Sequence, residues 1–508
     1  MTRSSRRNAV SSNSVTHSIR PFDPVTAAVV GVAAMVYALH GFENFLDYDN
    51  AMYAYGAQQA LAGIPPYKSV FNITGPLAYL LPVPGVALAR AVGIEDLTGI
   101  RLFFLAISAL VVGGLYVLAR DLFKSRATGV AAAAAFLTFY TFLHNATAGP
   151  REKTPMLLFV VLALISAVRR RWFLAGVAGA LAPLVWQPSG LVPVAVLIAA
   201  ATSVSGRHRW RAIGGVMLGG ALPAAAITVY FVLKSALPDF VDGVLLVNLR
   251  YTTTSSESFL ERFWRILHVV HDGDGWSAWI IATGLVAMAG VLLWRIHAVA
   301  DWRGLLHDRF AVILIAFLPC VAWTSYDFQG PPDLFILLPF AALGIGSLVY
   351  SVEQLMGASF SRAAAVVVTT GSIVLASWTA VHRSNQGLLH QHRSVAQMLA
   401  EVPPDAQMMS LGAPQPLVLA GRRNPNPYVI LGRGLAEHLH DTWPGGMEGF
   451  LHDLDSHPPE LIAFGPYVWG TRSEMLTRWM YDNYVEWGSA SEWTWFVHRS
   501  IARQIGNR

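Results

Sequence analysis

The chain contains a long series of apolar runs, each close to the length that a helix needs to cross a bilayer. A spanning helix takes about 20 mostly apolar residues. Because lipid cannot hydrogen-bond to the backbone, such runs must satisfy their own backbone groups as helices. Charged residues make up only 13% of the 508 residues, about half the ~25% typical of soluble domains. The pattern predicts a mainly α polytopic membrane protein and excludes a disordered chain, a coiled coil and an ordinary soluble enzyme.

Eleven of these runs are predicted to span the membrane. One further run, 76–92, is ambiguous because it contains Pro82 and Pro84 and has Arg90 near its end. The eleven predicted spans lie at about 25–42, 99–119, 127–142, 154–168, 172–186, 188–204, 212–233, 276–294, 310–324, 333–350 and 362–381.

The distribution of Lys and Arg decides how the ambiguous run is placed. If 76–92 lies on the membrane surface, the loops of one side hold 17 Lys and Arg, and the longer loops of the other side hold 8 before residue 382. If it spanned, Arg-rich and Arg-poor loops would be mixed. Because cytoplasmic loops are enriched in Lys and Arg, the pattern predicts a cytoplasmic N-terminus and an interfacial 76–92 segment. It is typical of membrane orientation and not of nucleic acid binding.

This topology divides the chain into three parts. Residues 1–22 form a basic cytoplasmic tail, residues 23–381 the transmembrane domain, and residues 382–508 a domain outside the plasma membrane. The last assignment follows because an odd number of spans places the C-terminus opposite the N-terminus. The first run lacks a clear small-residue cleavage site and is therefore interpreted as a retained signal-anchor.

The C-terminal part has a pattern of its own. Strand-like runs lie at 407–411, 461–464 and 493–497, and helical stretches lie at 393–401 and 473–484. Strands that alternate with helices are typical of a small α/β domain.

Two carboxylates, Asp47 and Asp49, stand in the first outside loop just before a predicted short helix over 51–62. A carboxylate at the mouth of a membrane domain can act as a general base if it reaches a substrate hydroxyl. The alternative interpretation is helix capping, since Asp side chains accept hydrogen bonds from free backbone N–H groups. Position alone does not separate the two.

The second outside loop holds Arg151, Glu152 and Lys153 immediately before a span. Glu152 could line the same cavity as the first loop, or only complement the helix N-terminus. Arg151 and Lys153 go against the positive-inside trend, and an anionic lipid or substrate phosphate would be a suitable partner. Lys68 and Arg250 occupy other outside loops, where a solvated surface role is the alternative.

Two further outside segments carry weaker signals. The stretch 258–270 has apolar residues at helical spacing and is predicted to be an interfacial helix. Asp333 follows a Pro-rich turn, which turn chemistry explains, although its side chain could also face the cavity. The single cysteine, Cys320, excludes an intrachain disulfide and a cysteine-based metal site.

Several short motifs occur together in a fixed order. These are Asp49-Asn50, AQQALAGIPPY over 57–67, GPLAYL over 75–80, Gly93 followed by Arg101-Leu102, Pro150-Arg151-Glu152, and WQPSG over 186–190. The ordered set resembles the GT-C superfamily of membrane glycosyltransferases that use polyprenyl-phosphate sugars. It is most similar to the branch of protein O-mannosyltransferases and lipid A aminoarabinose transferases, over most of residues 25–350.

The resemblance implies an inverting glycosyltransferase with a GT-C-like fold. Because nucleotide sugars are cytoplasmic, a catalyst that faces outward needs a lipid-carried donor, here a polyprenyl-phosphate sugar. Mannose or arabinose is expected as the sugar, and a cell-envelope glycan, glycolipid or protein as the acceptor. No cofactor is required, although a divalent cation is possible.

The resemblance and the loops together give the candidate site. Asp49 is assigned as the base, with Asp47 as the alternative, and Asp47 and Glu152 as supporting acids. The predicted donor-phosphate or substrate-binding residues are Arg151, Lys153, Lys68, Arg250, Tyr53, Asn72 and Gln187.

The competing function is a transporter or lipid-carrier flippase, which eleven spans would also suit. A substrate path through a membrane is marked by charged groups within the spans. No apolar run carries an obvious buried acid or base, and no inverted repeat is visible. The acids and cations gather in the outside loops, which favours the transferase.

Overall fold

A computed structural model gives the fold of residues 23–251, 258–298, 302–432, 434–466, 468, 473–490 and 492–505. The predicted basic tail, 1–22, lies outside the described residues. The chain is a mainly helical, multi-pass membrane protein with a small sheet near its C-terminus.

Helices joined by short loops make up the first three quarters of the chain. They are α1 (Pro24–Ala38), α2 (Tyr48–Leu61), α3 (Leu77–Leu80), α4 (Val83–Val92), α5 (Asp96–Phe123), α6 (Arg126–Leu137), α7 (Tyr140–Ala148), α8 (Lys153–Val168), α9 (Trp172–Val185), a 3₁₀ turn (Gln187–Gly190), α10 (Leu191–Thr202), α11 (Arg207–Leu233), α12 (Leu237–Val241), a π turn (Asp242–Leu246), α13 (Val247–Arg250), α14 (Phe259–Asp274), α15 (Trp276–Ala298), α16 (Trp302–His307), α17 (Phe310–Tyr326), a 3₁₀ turn (Pro331–Leu337), α18 (Leu338–Met356) and α19 (Ala358–His382).

An apolar helix lies at each of the eleven predicted spans. Within the described residues, five helical stretches are long and apolar enough to cross a membrane, and α6 with α7 forms a sixth that is bent by 70°. The others are apolar helices of 10–17 residues. The count of eleven spans therefore stays a prediction.

The ambiguous run 76–92 is broken into α3 and α4. Pro82 ends the first piece and precedes the second, because proline has no N–H to continue a helix. Gly93 ends α4 with a φ of 76°, a left-handed conformation that glycine adopts without steric cost. Together the two pieces form an apolar stretch of the same length class as several helices at the predicted spans, so the position of 76–92 on the membrane surface stays a prediction.

The predicted interfacial helix is present as α14. One face of it leaves Leu260, Phe263, Trp264 and Leu267 exposed in the isolated chain. Ser258 and Glu261 form a capping box at its start. Exposed large apolar side chains on one face are typical of a helix that lies in the lipid interface, and that position stays a prediction.

The C-terminal part contains the remaining elements. They are α20 (Gly387–Glu401), β1 (Met408–Leu411), α21 (Gln415–Ala420), α22 (Leu435–Thr442), α23 (Gly446–Ser456), β2 (Leu461–Phe464), α24 (Ser473–Asn483), β3 (Tyr484–Ser489), β4 (Thr494–His498) and α25 (Arg499–Ile505).

These strands form one mixed sheet in the order β1-β2-β4-β3. β1 and β2 are parallel, while β4 is antiparallel to both β2 and β3. The three predicted strands and both predicted helices are present. β3 was not predicted, because its conformation depends on pairing with β4, in which Tyr484 lies opposite His498.

The C-terminal part packs directly on the first of the loops that are predicted to lie outside the membrane. The side-chain amide of Gln391 donates to the Leu46 carbonyl and accepts from the Leu46 N–H, both at 2.9 Å. The Asn424 N–H donates to the Tyr55 hydroxyl at 2.9 Å. α2 is therefore enclosed between the helical part and the C-terminal part, and most of its residues are buried.

Candidate active site

The start of α2 places the two aspartates in different roles. Asp47 is the N-cap, and its Oδ1 accepts from the Asn50 N–H at 2.7 Å. This confirms the capping interpretation for Asp47. Asp49 lies in the first turn of the helix and its carboxylate points to the second outside loop, where it meets Arg151.

Arg101 ties the two outside loops together. It is fully buried near the start of α5 and donates to the carbonyls of Phe42, Asn44 and Ala148. The prediction that the apolar runs carry no buried acid or base was wrong, because Arg101, which the sequence indicated only as part of a motif, is buried in the run 99–119. A lone arginine just inside a long apolar run was the available signal.

Five charged side chains form a continuous network between α2, α8 and the turn before α18. Arg151 Nη1 lies 2.7 Å from Asp49 Oδ2, and Arg151 Nε lies 3.1 Å from Glu152 Oε2. Lys153 Nζ lies 3.7 Å from Glu152 Oε1 and also pairs with Asp333. Acids and bases therefore alternate along the order Asp49, Arg151, Glu152, Lys153, Asp333, which we call the charge network.

Exposure falls steeply along this network. The Asp49 side chain is 35% exposed and that of Arg151 is 11% exposed. Glu152 is 4% exposed, and Lys153 and Asp333 are each 7% exposed. Asp49 is thus the acid of the network that an incoming substrate can reach, while Glu152 and Asp333 fix the two cations.

Asp333 has both of the roles that the sequence left open, in the Pro-rich turn and toward the other charged residues. Its Oδ2 does accept from the N–H groups of Gln329 and Gly330, at 2.6 and 3.2 Å. Its Oδ1 meets Lys153, which is 180 residues earlier in the chain. Asp333 therefore stabilises the turn and also belongs to the charge network.

The surroundings of Asp47 and Arg151 raise the pKa values of both groups. Burial raises the pKa of Asp47 to about 6, helped by the neighbouring Asp49 and Glu152 carboxylates and opposed by Arg151. Burial alone would lower the pKa of Arg151. The nearby Glu152, Asp49 and Asp47 outweigh it and hold the Arg151 pKa well above its usual value. Arg151 therefore stays cationic beside the candidate base.

Three predicted substrate-binding residues hold the first loop in place. Gln187 Nε2 donates to the Ile73 carbonyl at 2.6 Å. Asn72 is 5% exposed and its Nδ2 donates to the Tyr79 hydroxyl at 3.1 Å. Tyr53 is buried, with its ring centroid 5.5 Å from that of Tyr79. Their predicted contacts with substrate stay predictions.

Trp186 adds a contact that the sequence did not indicate. It is the first residue of the WQPSG segment. Its ring lies against Lys153, whose Nζ is 4.8 Å from the ring centroid. Such a cation–π contact helps to hold a partly desolvated ammonium group.

The structure does not bring Lys68 and Arg250 to the charge network. Both side chains are exposed. Lys68 lines a separate cavity against the C-terminal part. Arg250 ends α13, at the surface. A direct role for either residue beside Asp49 stays a prediction without support from this geometry.

A metal site was left open by the sequence. Among the residues that the structure describes, no group of three or more His, Cys, Asp or Glu side chains is arranged to hold a metal ion. His392 Nε2 instead lies 3.0 Å from Glu95 Oε1. The possible divalent cation stays a prediction.

Comparisons with known proteins agree with this fold. Residues 86–233 match the family model of dolichyl-phosphate-mannose-protein mannosyltransferases. The fold is similar to that of ArnT from Cupriavidus metallidurans in the apo state, with 13% identity, a TM-score of 0.60, and coverage of 94% of this chain and 97% of that one. The structure of ArnT from the same organism bound to undecaprenyl phosphate is 13% identical, with a TM-score of 0.58. The match covers 93% of this chain and 98% of that one.

A larger protein shares the architecture more distantly. The arabinofuranosyltransferase AftD from Mycobacteria has 14% identity and a TM-score of 0.50, with 94% of this chain covering 40% of AftD. No curated protein sequence matches the chain. The predicted resemblance to GT-C glycosyltransferases is confirmed; at these identities the structural likeness establishes the fold.

Proposed function

We propose that this chain, with its GT-C fold, is an inverting glycosyltransferase that uses a polyprenyl-phosphate sugar and acts outside the plasma membrane. The observation that carries the proposal is the position of Asp49. It is the accessible end of an otherwise buried charge network at the base of the outside loops. A general base needs this combination of a fixed carboxylate and an open approach.

In the proposed reaction, Asp49 takes the proton of an acceptor hydroxyl. The oxygen of that hydroxyl attacks the anomeric carbon of the donor from the face opposite the phosphate. The bond between the anomeric carbon and the phosphate oxygen breaks, and the polyprenyl phosphate leaves with the bonding electrons. The attack inverts the anomeric centre, and the leaving phosphate needs cations more than a proton.

Arg151 is the cation best placed to stabilise that phosphate. It stays charged, and it lies 2.7 Å from the carboxylate of the candidate base. Preorganised positive charge where negative charge develops is often the largest single term in catalysis. Lys153 is held between Glu152 and Asp333, so we assign it to fixing the network and to long-range stabilisation of the phosphate.

The neighbours support the donor class and leave two sugars in the proposal. ArnT has been solved with undecaprenyl phosphate bound, and the whole fold of that complex is similar to this chain. The matched family model refers to mannose, and AftD is an arabinofuranosyltransferase. We therefore keep mannose or arabinose as the transferred sugar, and a glycan, glycolipid or protein as the acceptor.

The buried charged residues give little support to the alternative function of a transporter or flippase. Lys153 and Asp333 lie in the first turns of their helices, and Arg101 is the sixth residue of the 28-residue helix α5, so none of them lies at mid-span. Arg101 is bonded to loop carbonyls, and the other two are bonded to each other. A transport path would instead require charged groups along the membrane interior.

The direct test is transfer of labelled sugar in membranes that contain the chain, with a panel of polyprenyl-phosphate sugars. Replacing Asp49→Asn removes the base and keeps the side-chain shape. We expect transfer to depend on one donor and to fall by about 10²–10⁴-fold in this variant.

The matched control is Glu43→Gln, since Glu43 is an exposed acid in the same loop. It should transfer at the wild-type rate. Folded Asp49→Asn protein that also kept the wild-type rate would remove Asp49 as the base.

A further inference from the structure

A cavity lies apart from the charge network, on the side where Lys68 is found. It has a volume of about 480 Å³ and is enclosed by the first outside loop, the segment after α11, and the C-terminal part. This is within the range of small-ligand sites. We call it the loop pocket, and its walls combine aromatic rings with charged side chains.

Aromatic side chains form one wall of the loop pocket. The Phe71 ring stacks on His438, with centroids 4.8 Å apart and planes 19° apart. Phe71 also contacts Tyr428, and Tyr428 contacts Trp443. Trp443 is only half-buried, so part of its surface is open to the pocket.

Four charged side chains line the same pocket: Lys68, Arg423, Asp239 and Asp242. In the part of the chain that the structure describes, none of them has a hydrogen bond or ion pair from its side chain, in contrast to the fully paired charge network. Two acids and two bases sum to no net charge. Such a set offers many hydrogen bonds without a preference for an anion.

His438 lines the same pocket and stacks on Phe71. It is 6% exposed, and its buried Nδ1 has no hydrogen-bond partner among the described residues. Buried polar atoms in native proteins are nearly always bonded. The wall of the pocket therefore contains a polar atom that its own neighbours leave unsatisfied.

We infer that the loop pocket binds a neutral carbohydrate unit of the acceptor, an inference that rests on the proposed function. The apolar C–H face of a sugar ring packs on an aromatic ring such as Trp443, and its hydroxyl groups donate to free carboxylates. A phosphate or another anion would meet Asp239 and Asp242 as well as the two cations. A lipid tail would leave all four charges unbonded, at a desolvation cost.

The loop pocket lies behind the reacting centre. The Tyr67 ring borders the pocket and contacts Tyr79 at 6.2 Å, and Tyr79 contacts Tyr53 at 5.5 Å. Tyr53 follows Asp49 by one helical turn. This layer of rings separates the pocket from the base, so the bound unit is one that does not itself react.

The test measures binding to the full chain in detergent, by saturation-transfer NMR, with neutral trisaccharides of mannose, arabinofuranose and glucose. We expect at least one of them to bind. Asp242→Asn and Trp443→Phe should each weaken that binding about tenfold, as expected for loss of a hydrogen bond to a charged group or of a ring contact. The matched control is Glu448→Gln, an exposed acid of the C-terminal part outside the pocket.

Several results would overturn the inference. The first is that wild-type protein binds none of the trisaccharides. The second is that Glu448→Gln weakens trisaccharide binding as much as the pocket variants do. The third is that Asp242→Asn and Trp443→Phe bind the trisaccharide with wild-type affinity. Binding only of vesicles that contain phosphatidylglycerol, lost in Lys68→Gln with Arg423→Gln, would assign the pocket to an anionic headgroup instead.

Asp49→Asn separates this inference from the proposed function. Trisaccharide binding that survives in Asp49→Asn while transfer is lost supports both proposals. Trisaccharide binding that depends on Asp242, together with no transfer from any donor by wild-type protein, supports the pocket and counts against the enzyme. Transfer with an unchanged acceptor KM in Asp242→Asn supports the enzyme and overturns the pocket.

Discussion

Asp49, Glu152 and Asp333 are all carboxylates next to cations, and burial separates their roles. A buried acid that is paired on both sides, such as Glu152, cannot approach a substrate hydroxyl without breaking its ion pairs. Asp49 pairs with Arg151 and keeps 35% of its side chain exposed. At the residue scale, access and not charge alone identifies the candidate base.

Asp47 is expected to make stability depend on pH. Its pKa is raised from 3.8 to about 6 in the folded chain, so the folded state holds the proton more tightly than the unfolded state. Its stabilising contribution is therefore complete at low pH and is lost as the pH rises from about 4 to about 6. Asp47→Asn keeps a good N-cap and should unfold at a higher temperature than wild type above pH 6, with the difference vanishing towards pH 4.

Thermal unfolding in detergent at several pH values checks this expectation. Glu43→Gln changes an exposed acid of the same loop and should follow the wild-type pH dependence. A constant difference between wild type and Asp47→Asn at all pH values would contradict the expectation.

Lys153 is expected to matter more for folding than its position near the base suggests. Lys153→Met leaves Glu152 and Asp333 buried without their shared cation. Breaking a buried pair in this way typically costs about 3–5 kcal/mol. The double variant Lys153→Met with Asp333→Asn should recover part of that loss in chemical unfolding. Equal stability of the single and double variants would show that the two residues are not coupled.

At the scale of elements, close contact between helices depends on a few glycines. A methyl group on Gly284 of α15 would collide with the Ala341 carbonyl of α18, and one on Gly344 of α18 would collide with the Gly284 carbonyl. Small residues that allow backbones to approach are the usual means of packing helices in membranes, where burial of apolar surface gives no driving force.

Gly284→Ala is therefore expected to destabilise the pairing of α15 with α18, by about 1–3 kcal/mol. Gly290→Ala lies in the same helix with open space around it and should be neutral or slightly stabilising, because Ala favours helix. Thermal unfolding of the two variants in one detergent compares them directly. A loss of stability in Gly290→Ala as large as in Gly284→Ala would contradict close packing as the cause.

At the scale of the whole molecule, the C-terminal part sits on the first outside loop and shares its hydrophobic core. Gln391, Asn424 and the backbone around Phe71 connect the two parts by direct hydrogen bonds. The position of Asp49 therefore depends on the C-terminal part as well as on its own loop. The predicted topology requires that both face the outside of the cell.

Cysteine labelling tests this topology. Cys320 is buried and is expected to react little, and Cys320→Ala removes it. In that background, Glu448→Cys should react with a membrane-impermeant maleimide on intact cells, whereas Arg171→Cys should react only after permeabilisation. Both positions are exposed in the structure. The reverse labelling pattern would show that the chain has the opposite orientation in the membrane.

Features that depend on short segments could be predicted from the amino-acid sequence. The apolar runs predicted where helices form, because spanning length and apolar composition are properties of consecutive residues. The acids before α2 offered a cap as one of two interpretations, and Asp47 is that cap, while the prolines of 76–92 marked a run that is broken in two. The motif order indicated the GT-C resemblance, since it needs no knowledge of contacts.

Contacts between residues far apart in the chain could not be predicted from the amino-acid sequence. Asp333 reaches Lys153 across 180 residues, Arg101 joins two loops, and β3 forms only because β4 lies beside it. Lys68, which the sequence grouped with the site, lines a different cavity. Local patterns fix the conformation of a segment, but the packing of helices fixes which charges are buried together. In a membrane domain, that packing arises from contacts between residues far apart in the chain.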